Sequence, residues 1–268
     1  MQYKSLVLDL DGTKLVGDDL PEANKLALQR AAAAGYEIIV STARWLPMAQ
    51  RVADQICRHS VAIACSGAQV HDSLELEDIF DVRLPPDFAE ELFKVCNANR
   101  CIATVTVSER VLLKLDGEPD PDAMEEVMEW VPELKLHEHD LPRIAAIQGS
   151  KVCEIIKSEL KDKYADRVNI FDSIGPTGKL VLTITGKAAS KGAALQAACD
   201  HLQIDPQQVI AFGDAENDLA MFRLAGASVA MGQAHDEVKA AADYVSAPNY
   251  ENGVAQAVEL ILETGRLP

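Results

Sequence analysis

The stretch SLVLDLDGTKL (Ser5–Leu15) ends an apolar run with two carboxylates. The apolar residues Leu6–Leu8 predict a buried β-strand, and Asp9 and Asp11 follow it with one residue between them. Two like charges this close oppose each other's ionisation unless a cation offsets them. Asp and Gly are also common in simple turns, so the surrounding sequence has to distinguish a turn from a functional site.

Strand and helix patterns alternate after this opening strand. A helix is predicted from Pro21 to Gly35, because Pro favours the first helical position and Gly the position just past the last. Further strands are predicted at Tyr36–Ser41, Val61–Cys65 and Val209–Gly213, with helices between them. Such alternation is typical of a parallel sheet in an α/β fold.

The middle of the chain has a different pattern of predicted helices and strands. Charged helical patterns at Pro86–Asn99 and Asp120–Val131 alternate there with strand patterns that favour an antiparallel sheet. The fold class predicted is therefore α/β, with a Rossmann-like parallel-sheet core and an inserted α+β cap domain. We place the core at residues 1–82 and 184–268 and the cap at residues 83–183.

The composition restricts the partners of the protein. A net charge of −17 over 268 residues argues against nucleic acids and anionic membranes, but a small phosphorylated substrate fits where local cations surround it. No apolar stretch approaches the roughly 18 residues of a membrane span. The six cysteines form no C-x-x-C pair. We expect a cytoplasmic protein with reduced thiols, either a monomer or a homodimer.

Polar side chains follow several strands of the predicted sheet, where each strand ends. In an open parallel sheet, ligands bind outside the carboxyl ends of the strands, and the start of a helix favours an anion. Capping explains any one of these side chains, but it explains poorly why four separate segments place them on one rim. The residues concerned are Asp9, Asp11, Ser41, Thr42, Lys191, Asp214, Asn217 and Asp218.

Phosphoryl transfer through an aspartyl phosphate requires this set of groups. A carboxylate can attack phosphorus, and Asp9 and Asp214, with a backbone carbonyl, form an oxygen-rich site suited to Mg²⁺. Lys191 adds a second cation, and the Thr42 hydroxyl can donate to a phosphate oxygen. Asp11, two residues beyond Asp9, can reach the leaving oxygen and exchange protons with it and with water.

Four segments resemble the motifs of the haloacid dehalogenase (HAD) phosphatase superfamily. These are DLDGT (Asp9–Thr13), Thr42 in STAR, Lys191 in SKG and GDAENDLAM (Gly213–Met221). Their order, and the long insertion between the second and third, are similar to the Cof-type subgroup, whose members carry an α+β cap called C2B.

The resemblance implies a role for each matching residue. Asp9 would be the nucleophile and Asp11 the general acid/base. Arg44 is not assigned by the resemblance, and its position fits either a contact with substrate or a pairing with an acid. Mg²⁺ would bind Asp9, the Asp11 carbonyl and Asp214, with Asp218 in its second shell. The phosphate would be bound by Thr42, Ala43, Lys191 and Asn217. Three positions depart from the usual pattern, namely Lys14, Ala43 in place of Gly, and Ser66 in place of Asn.

The function predicted is Mg²⁺-dependent hydrolysis of a small phosphomonoester, with sugar phosphates the commonest substrates of the superfamily. A phosphomutase is the nearest alternative, since phosphomannomutases of the same superfamily share the motifs and a similar cap. A phospho-receiver module is more distant, because receivers are about half this length and carry no inserted cap.

Overall fold

The structure is a computed structural model that describes residues 2–14, 20–120, 124, 126–137, 140–174 and 179–267. It divides into two compact units, one made of Met1–Phe80 with Ser190–Pro268 and the other of Asp81–Ala189. The first is an α/β unit and the second an α+β unit, which confirms the predicted fold class. We propose that they correspond to the predicted core and cap.

The strands and helices are numbered in chain order. The strands are β1 (Ser5–Asp9), β2 (Glu37–Ser41), β3 (Val61–Ala64), β4 (Gln69–Asp72), β5 (Glu77–Asp81), β6 (Ile102–Val107), β7 (Arg110–Lys114), β8 (Met128–Trp130), β9 (Pro142–Gln148), β10 (Val168–Ile174), β11 (Leu180–Gly186), β12 (Val209–Gly213), β13 (Ala227–Ala230) and β14 (Tyr244–Val245). The helices are α1 (Glu22–Ala33), α2 (Leu46–Ala53), α3 (Pro86–Ala98), α4 (Ser150–Ile156), α5 (Lys191–Leu202), α6 (Leu219–Phe222), α7 (Asp236–Ala240) and α8 (Gly253–Thr264).

The core is built on a sheet whose described strands run in the order β14-β13-β12-β1-β2-β3-β4-β5. β1 lies between β12 and β2 and pairs in parallel with both. Each residue of β1 is buried, and alternate side chains point to opposite faces. Leu6 and Leu8 pack with Leu28 of α1 on one face, whereas Val7 packs with Leu195 of α5 on the other. The opening apolar run is therefore the centre of a three-layer core.

The register of the central strands brings their carboxyl ends to one level. Asp9 of β1 is opposite Ser41 of β2, and Leu8 is opposite Phe212 of β12. Thr42 comes directly after Ser41, the last residue of β2, and Asp214 comes directly after Gly213, the last residue of β12. Both residues therefore leave the sheet at the same edge as Asp9.

The sheet ends in two strands that the sequence pattern did not predict. β4 pairs antiparallel with β3, and Val61 is opposite Asp72. The intervening turn has positive φ at Cys65 (53°), Ser66 (57°) and Gly67 (86°). β4 and β5 are short and carry mixed polar residues, so neither gives a clear alternation in the sequence.

The second unit has its own sheet, with its described strands in the order β10-β11-β9-β6-β7-β8. Phe88 and Leu92 of α3 and Val152 of α4 pack on one face of this sheet, in a separate apolar core. Phe88 also meets Tyr164 edge to face, with the ring centroids 5.1 Å apart.

The helix predicted at Asp120–Val131 is wrong at its carboxyl end. Residues 121–123 and 125 lie outside the described residues, but Met128–Trp130 forms β8. Val111 of β7 is opposite Met128, and Leu113 is opposite Trp130 in a parallel pairing. Pairing with the edge of the sheet overrides a charged pattern that, taken locally, favours a helix.

Two features of the fold bear on its surroundings, namely the length of its apolar helices and the bonding of its cysteines. Among the described residues, no helix is both long and apolar enough to cross a membrane. None of the six cysteines forms a disulfide bond, and all of them except Cys57 are buried.

Candidate active site

A buried lysine joins two aspartates at the carboxyl edge of the core sheet. Lys191 is the first residue of α5 and is 2% exposed. Its Nζ donates to Oδ1 of Asp9, the last residue of β1, and to Oδ1 of Asp218 at 2.7 Å. The other oxygen of Asp218 accepts from the backbone N–H groups of Asp214 (3.0 Å) and Ala215 (3.1 Å). Asp218 is therefore fully engaged in holding Lys191 and the Asp214 loop in place.

Asp214 approaches the loop after β1 very closely. Thr13 Oγ1 donates to Asp214 Oδ1 at 3.0 Å. Gly12 has φ +76°, and a Cβ at this position would lie 2.8 Å from Asp214 Cγ and nearer still to Oδ2. Glycine is required here both for its backbone conformation and for its lack of a side chain. Gln233 also holds this loop, because its Nε2 donates to the Gly12 carbonyl.

The buried carboxylates carry more negative charge than their surroundings offset. Burial raises the pKa of Asp9 well above its ordinary value, Lys191 opposes this, and Asp218 and Asp214 add to it. Burial and then Asp218 raise the pKa of Asp214 to about 6, against the Thr13 hydrogen bond. The pKa of Lys191 is raised, since its two carboxylate partners outweigh its burial. A divalent cation would relieve this excess charge.

The donor set fits such a cation. Carboxylate oxygens of Asp9, Asp214 and Asp218 lie within 4.8 Å of one another. Because Asp218 is already engaged by Lys191 and two backbone N–H groups, Asp9 and Asp214 are the carboxylates best placed to bind a metal directly. Mg²⁺ commonly takes one or two carboxylates and fills its other positions with water and phosphate oxygens.

Asp11 has a different environment from Asp9. Its side chain is 41% exposed, and its Oδ1 accepts from Arg44 Nε at 2.7 Å and Nη2 at 2.6 Å. Thr42 Oγ1 donates to Asp11 Oδ2 at 3.1 Å and itself accepts from the Arg44 backbone N–H at 3.0 Å. One carboxylate of the opening pair is thus buried on a lysine, and the other is held at the surface by an arginine and a threonine.

The remaining predicted residues lie beside these groups in the chain. Ala43 is exposed between Thr42 and Arg44, and Asn217 is exposed in the turn that leads to Asp218. The structure pairs Arg44, for which the sequence left both interpretations open, with Asp11. The roles assigned to these side chains stay predictions.

The turn after β3 supports the start of α5, which the sequence did not indicate. A Cβ at Gly67 would lie 2.6 Å from the Lys191 backbone nitrogen, so the turn packs directly on the helix start. The Ser66 N–H donates to the Thr42 carbonyl at 3.1 Å. Ser66 has φ +57° and ψ +31°, a left-handed conformation that Asn, the residue the family pattern implies there, adopts more readily than Ser.

Two further residues that hold the loop after β1, Thr13 and Gln233, were not predicted from the sequence. Thr13 lies inside the first motif, so its residue type was a signal that could have been used. Gln233 receives the Asn249 N–H on its Oε1 at 2.9 Å and bridges two distant loops, which no local pattern reveals.

The basic side chains of the second unit differ in how they are engaged. Arg143 is 4% exposed and donates to Asp81 at 2.8 Å and to the Ser108 carbonyl at 2.6 Å, so it is structural. Lys114 is buried, with its Nζ 3.9 Å from Cys101 Sγ. Arg100 and Lys179 are exposed.

Comparison with known proteins identifies the family of the chain. The profile of the haloacid dehalogenase-like hydrolase family matches residues 6–258. The chain therefore belongs to this family. It is an enzyme, a hydrolase of the HAD phosphatase type, as the sequence motifs predicted.

Two curated relatives illustrate the range of the matches. The chain is 26% identical over 260 residues to the 5-amino-6-(5-phospho-D-ribitylamino)uracil phosphatase YcsE of Bacillus subtilis, covering 96% of this chain and 95% of that protein. It is 25% identical over 276 residues to the chloroplastic endoribonuclease YBEY of Arabidopsis thaliana. That match covers 96% of this chain but only 46% of the plant protein, so the chain spans about half of its length.

Solved structures share the fold along nearly the whole chain. A haloacid dehalogenase-like hydrolase from Bacteroides thetaiotaomicron has a TM-score of 0.84 at 24% identity, covering 97% of this chain and 99% of that one. A HAD subclass IIB sugar phosphatase has a TM-score of 0.76 at 22% identity, covering 97% and 99%.

Proposed function

We propose that the protein is a Mg²⁺-dependent phosphatase that hydrolyses a small phosphomonoester through an aspartyl phosphate on Asp9. The observation that carries this proposal is the contrast between the two aspartates of the opening stretch. Asp9 is buried against Lys191 and close to Asp214, whereas Asp11 is partly exposed on Arg44 and Thr42. A nucleophile and a proton-transfer group need such different surroundings.

In the first half-reaction, Asp9 attacks phosphorus and the ester oxygen leaves. The carboxylate attacks through one oxygen while Lys191 neutralises charge on the transferring group. The Thr42 hydroxyl, which donates to Asp11 in this structure, would turn to donate to a phosphate oxygen when substrate binds. A Mg²⁺ ion held by Asp9, Asp214 and the Asp11 carbonyl, with Asp218 outside its first shell, would supply the charge compensation that lets a phosphate dianion enter.

Asp11 transfers the protons in both half-reactions. When protonated, it gives its proton to the departing alkoxide; as the carboxylate, it then takes a proton from the water that attacks the phosphorylated Asp9. Arg44 donates to Oδ1 of Asp11, and we propose that this contact fixes the direction of Asp11 after Thr42 has turned to the phosphate. Arg44 is then a positioning residue that can also meet the phosphate.

The substrate we propose is a sugar phosphate or another small phosphorylated metabolite with a polyol chain. The Bacillus relative is a phosphatase of a phosphoribityl compound, and one structural neighbour is a sugar phosphatase. The core side chains described above can recognise only the phosphate, so the cap would select the remainder of the molecule.

We also propose a cytoplasmic enzyme that has no nucleic-acid or membrane partner and acts as a monomer or homodimer. Its net charge of −17 disfavours polyanionic partners, and its buried cysteines, which form no disulfide bond, suit a reducing compartment.

Phosphate release from a few dozen phosphomonoesters tests the proposal. The wild-type enzyme with Mg²⁺ should hydrolyse polyol or sugar phosphates and release phosphate and alcohol in equal amounts. The Asp9→Asn enzyme, which keeps the shape of the site, should hydrolyse none of them. A bisphosphate requirement together with an isomerised sugar phosphate would instead indicate a phosphomutase.

A further inference from the structure

A second group of metal-ligating side chains lies at the opposite end of the core sheet. Asp72 ends β4, Glu75 follows it in the turn before β5, and His201 lies near the end of α5. One ligand atom from each of the three residues lies within 4.8 Å of the other two. Since an α-helix rises about 1.5 Å per residue, His201 is roughly 15 Å along α5 from Lys191. The group is therefore separate from the candidate active site.

The carboxylate at the centre of this group is held in one orientation. Asp72 is 2% exposed. Its Oδ1 lies 3.0 Å from His59 Nε2 and accepts from the backbone N–H groups of Leu74 (2.7 Å) and Glu75 (3.3 Å). Its Oδ2 lies 2.7 Å from His201 Nε2. One oxygen is thus anchored by three neighbours, and the other is directed at an imidazole.

Glu75 gives the group a third donor on the solvent side. Its Oε2 lies 3.9 Å from His201 Nε2, and its side chain is 52% exposed. The side chain can therefore move by the small distance needed to share an ion with Asp72 and His201. His201 is itself 23% exposed, so an ion can enter from solvent.

We propose that Asp72 Oδ2, Glu75 Oε2 and His201 Nε2 bind a divalent transition-metal ion, with Zn²⁺ the best fit. Two carboxylates and one imidazole make a mixed oxygen and nitrogen set that suits Zn²⁺ better than Mg²⁺. The ion replaces the proton between His201 Nε2 and Asp72. In a neutral imidazole this proton moves to Nδ1. In an imidazolium Nδ1 already carries a proton, so the Nε2 proton is released to solvent.

His59 acts in this site as a positioning residue. Metal-binding carboxylates are usually fixed by further hydrogen bonds, and His59 occupies that place on the oxygen of Asp72 that faces away from the ion. The ion would join the β4–β5 hairpin to the end of α5, the helix whose first residue is Lys191. Its expected effect is to stabilise the edge of the core sheet, without entering the hydrolytic reaction.

The test is Zn²⁺ binding by the full chain, measured by calorimetry and by metal analysis after dialysis. Asp214→Asn is used as the background, so that the candidate active site contributes less binding. This protein should bind one Zn²⁺ per chain, and adding His201→Gln should weaken the affinity on the order of 100-fold. Adding His71→Gln is the matched control, because His71 pairs with Asp78 at 2.9 Å in the same sheet but belongs to no such group among the residues that the structure describes.

Two further variants separate binding from folding. Glu75→Gln changes an exposed turn residue, so it should leave the melting temperature of the metal-free protein unchanged while weakening Zn²⁺ binding about 10-fold or more. His59→Gln should weaken binding by a smaller factor. The proposal is overturned if the Asp214→Asn protein binds no Zn²⁺ at micromolar free metal. It is equally overturned if the Glu75→Gln and His201→Gln proteins bind as tightly as the His71→Gln control.

Discussion

Replacing Gly12 by Ala should damage the candidate metal site far more than it damages the fold. Gly12 has φ +76°, and the left-handed conformation costs a residue with a side chain about 1–2 kcal/mol. The new Cβ would also lie 2.8 Å from Asp214 Cγ, whereas carbon atoms pack at roughly 3.5–4.0 Å. Asp214 must therefore move by about 1 Å, a misplacement that costs a reaction about 100-fold.

Gly265→Ala is the matched control for the free-energy cost of placing a side chain on a left-handed backbone. Gly265 has φ +74°, and no described atom lies within 4 Å of the Cβ that it would gain. Both variants should lose about 1–2 kcal/mol of unfolding free energy, which lowers the melting temperature by roughly 2–8 °C. Only Gly12→Ala should lose about 100-fold in rate and require more Mg²⁺ for half-maximal activity.

The assay is hydrolysis of p-nitrophenyl phosphate over a range of Mg²⁺ concentrations, with thermal unfolding followed in parallel. If Gly12→Ala keeps the wild-type rate and Mg²⁺ dependence, Asp214 does not act where the structure places it. Equal rate losses in the two variants would mean that backbone strain alone, and not the contact with Asp214, lowers activity.

Three other predictions concern the metal, the turn after β3 and the second unit. EDTA should abolish hydrolysis and Mg²⁺ should restore it, because Asp9 and Asp214 need a cation before a phosphate can approach; full activity after exhaustive chelation would contradict this. Ser66→Asn should raise the unfolding free energy by about 0.5–1 kcal/mol in chemical denaturation, since Asn is several-fold enriched at positive φ, and a loss of stability would count against the turn described here. Burial raises the pKa of Asp81, but Arg83 and Arg143 outweigh burial and hold this pKa below its ordinary value. The stability that Asp81 contributes is therefore complete above about pH 3.9, the pKa of Asp in an unfolded chain. It is lost as the pH falls through the lower pKa of the folded state. Asp81→Asn should therefore reduce the steepness of acid unfolding, and an unchanged acid transition would contradict the pairing.

Much of the core and its rim could be predicted from the sequence, because those features depend on short local patterns. The apolar run before Asp9 fixes a buried strand, and parallel pairing with β2 and β12 brings the carboxyl ends to one edge. Lys191 was identified at a helix start, and the structure places it on Asp9. That contact spans 182 positions along the chain, but it follows from the strand order.

The sequence patterns failed where long-range packing decides the structure. β8 forms from a charged segment because the free edge of β7 accepts it. For Arg44 the sequence left open a contact with substrate or a pairing with an acid, and the structure shows the pairing, with Asp11. The left-handed turn at Ser66 and the Gln233 bridge depend on groups far away in the chain, so no local signal marks them.

The most direct test of the account is to trap the phosphorylated enzyme in an Asp11→Asn variant. Nitrophenolate leaves with little protonation, whereas the second step needs Asp11 to activate water. With p-nitrophenyl phosphate and Mg²⁺, the variant should therefore give a burst of nitrophenol and accumulate about one phosphoryl group per chain. Mass spectrometry of the digested protein should locate that group on Asp9. A phosphoryl group on any other residue, or a burst that survives Asp9→Asn, would contradict the mechanism.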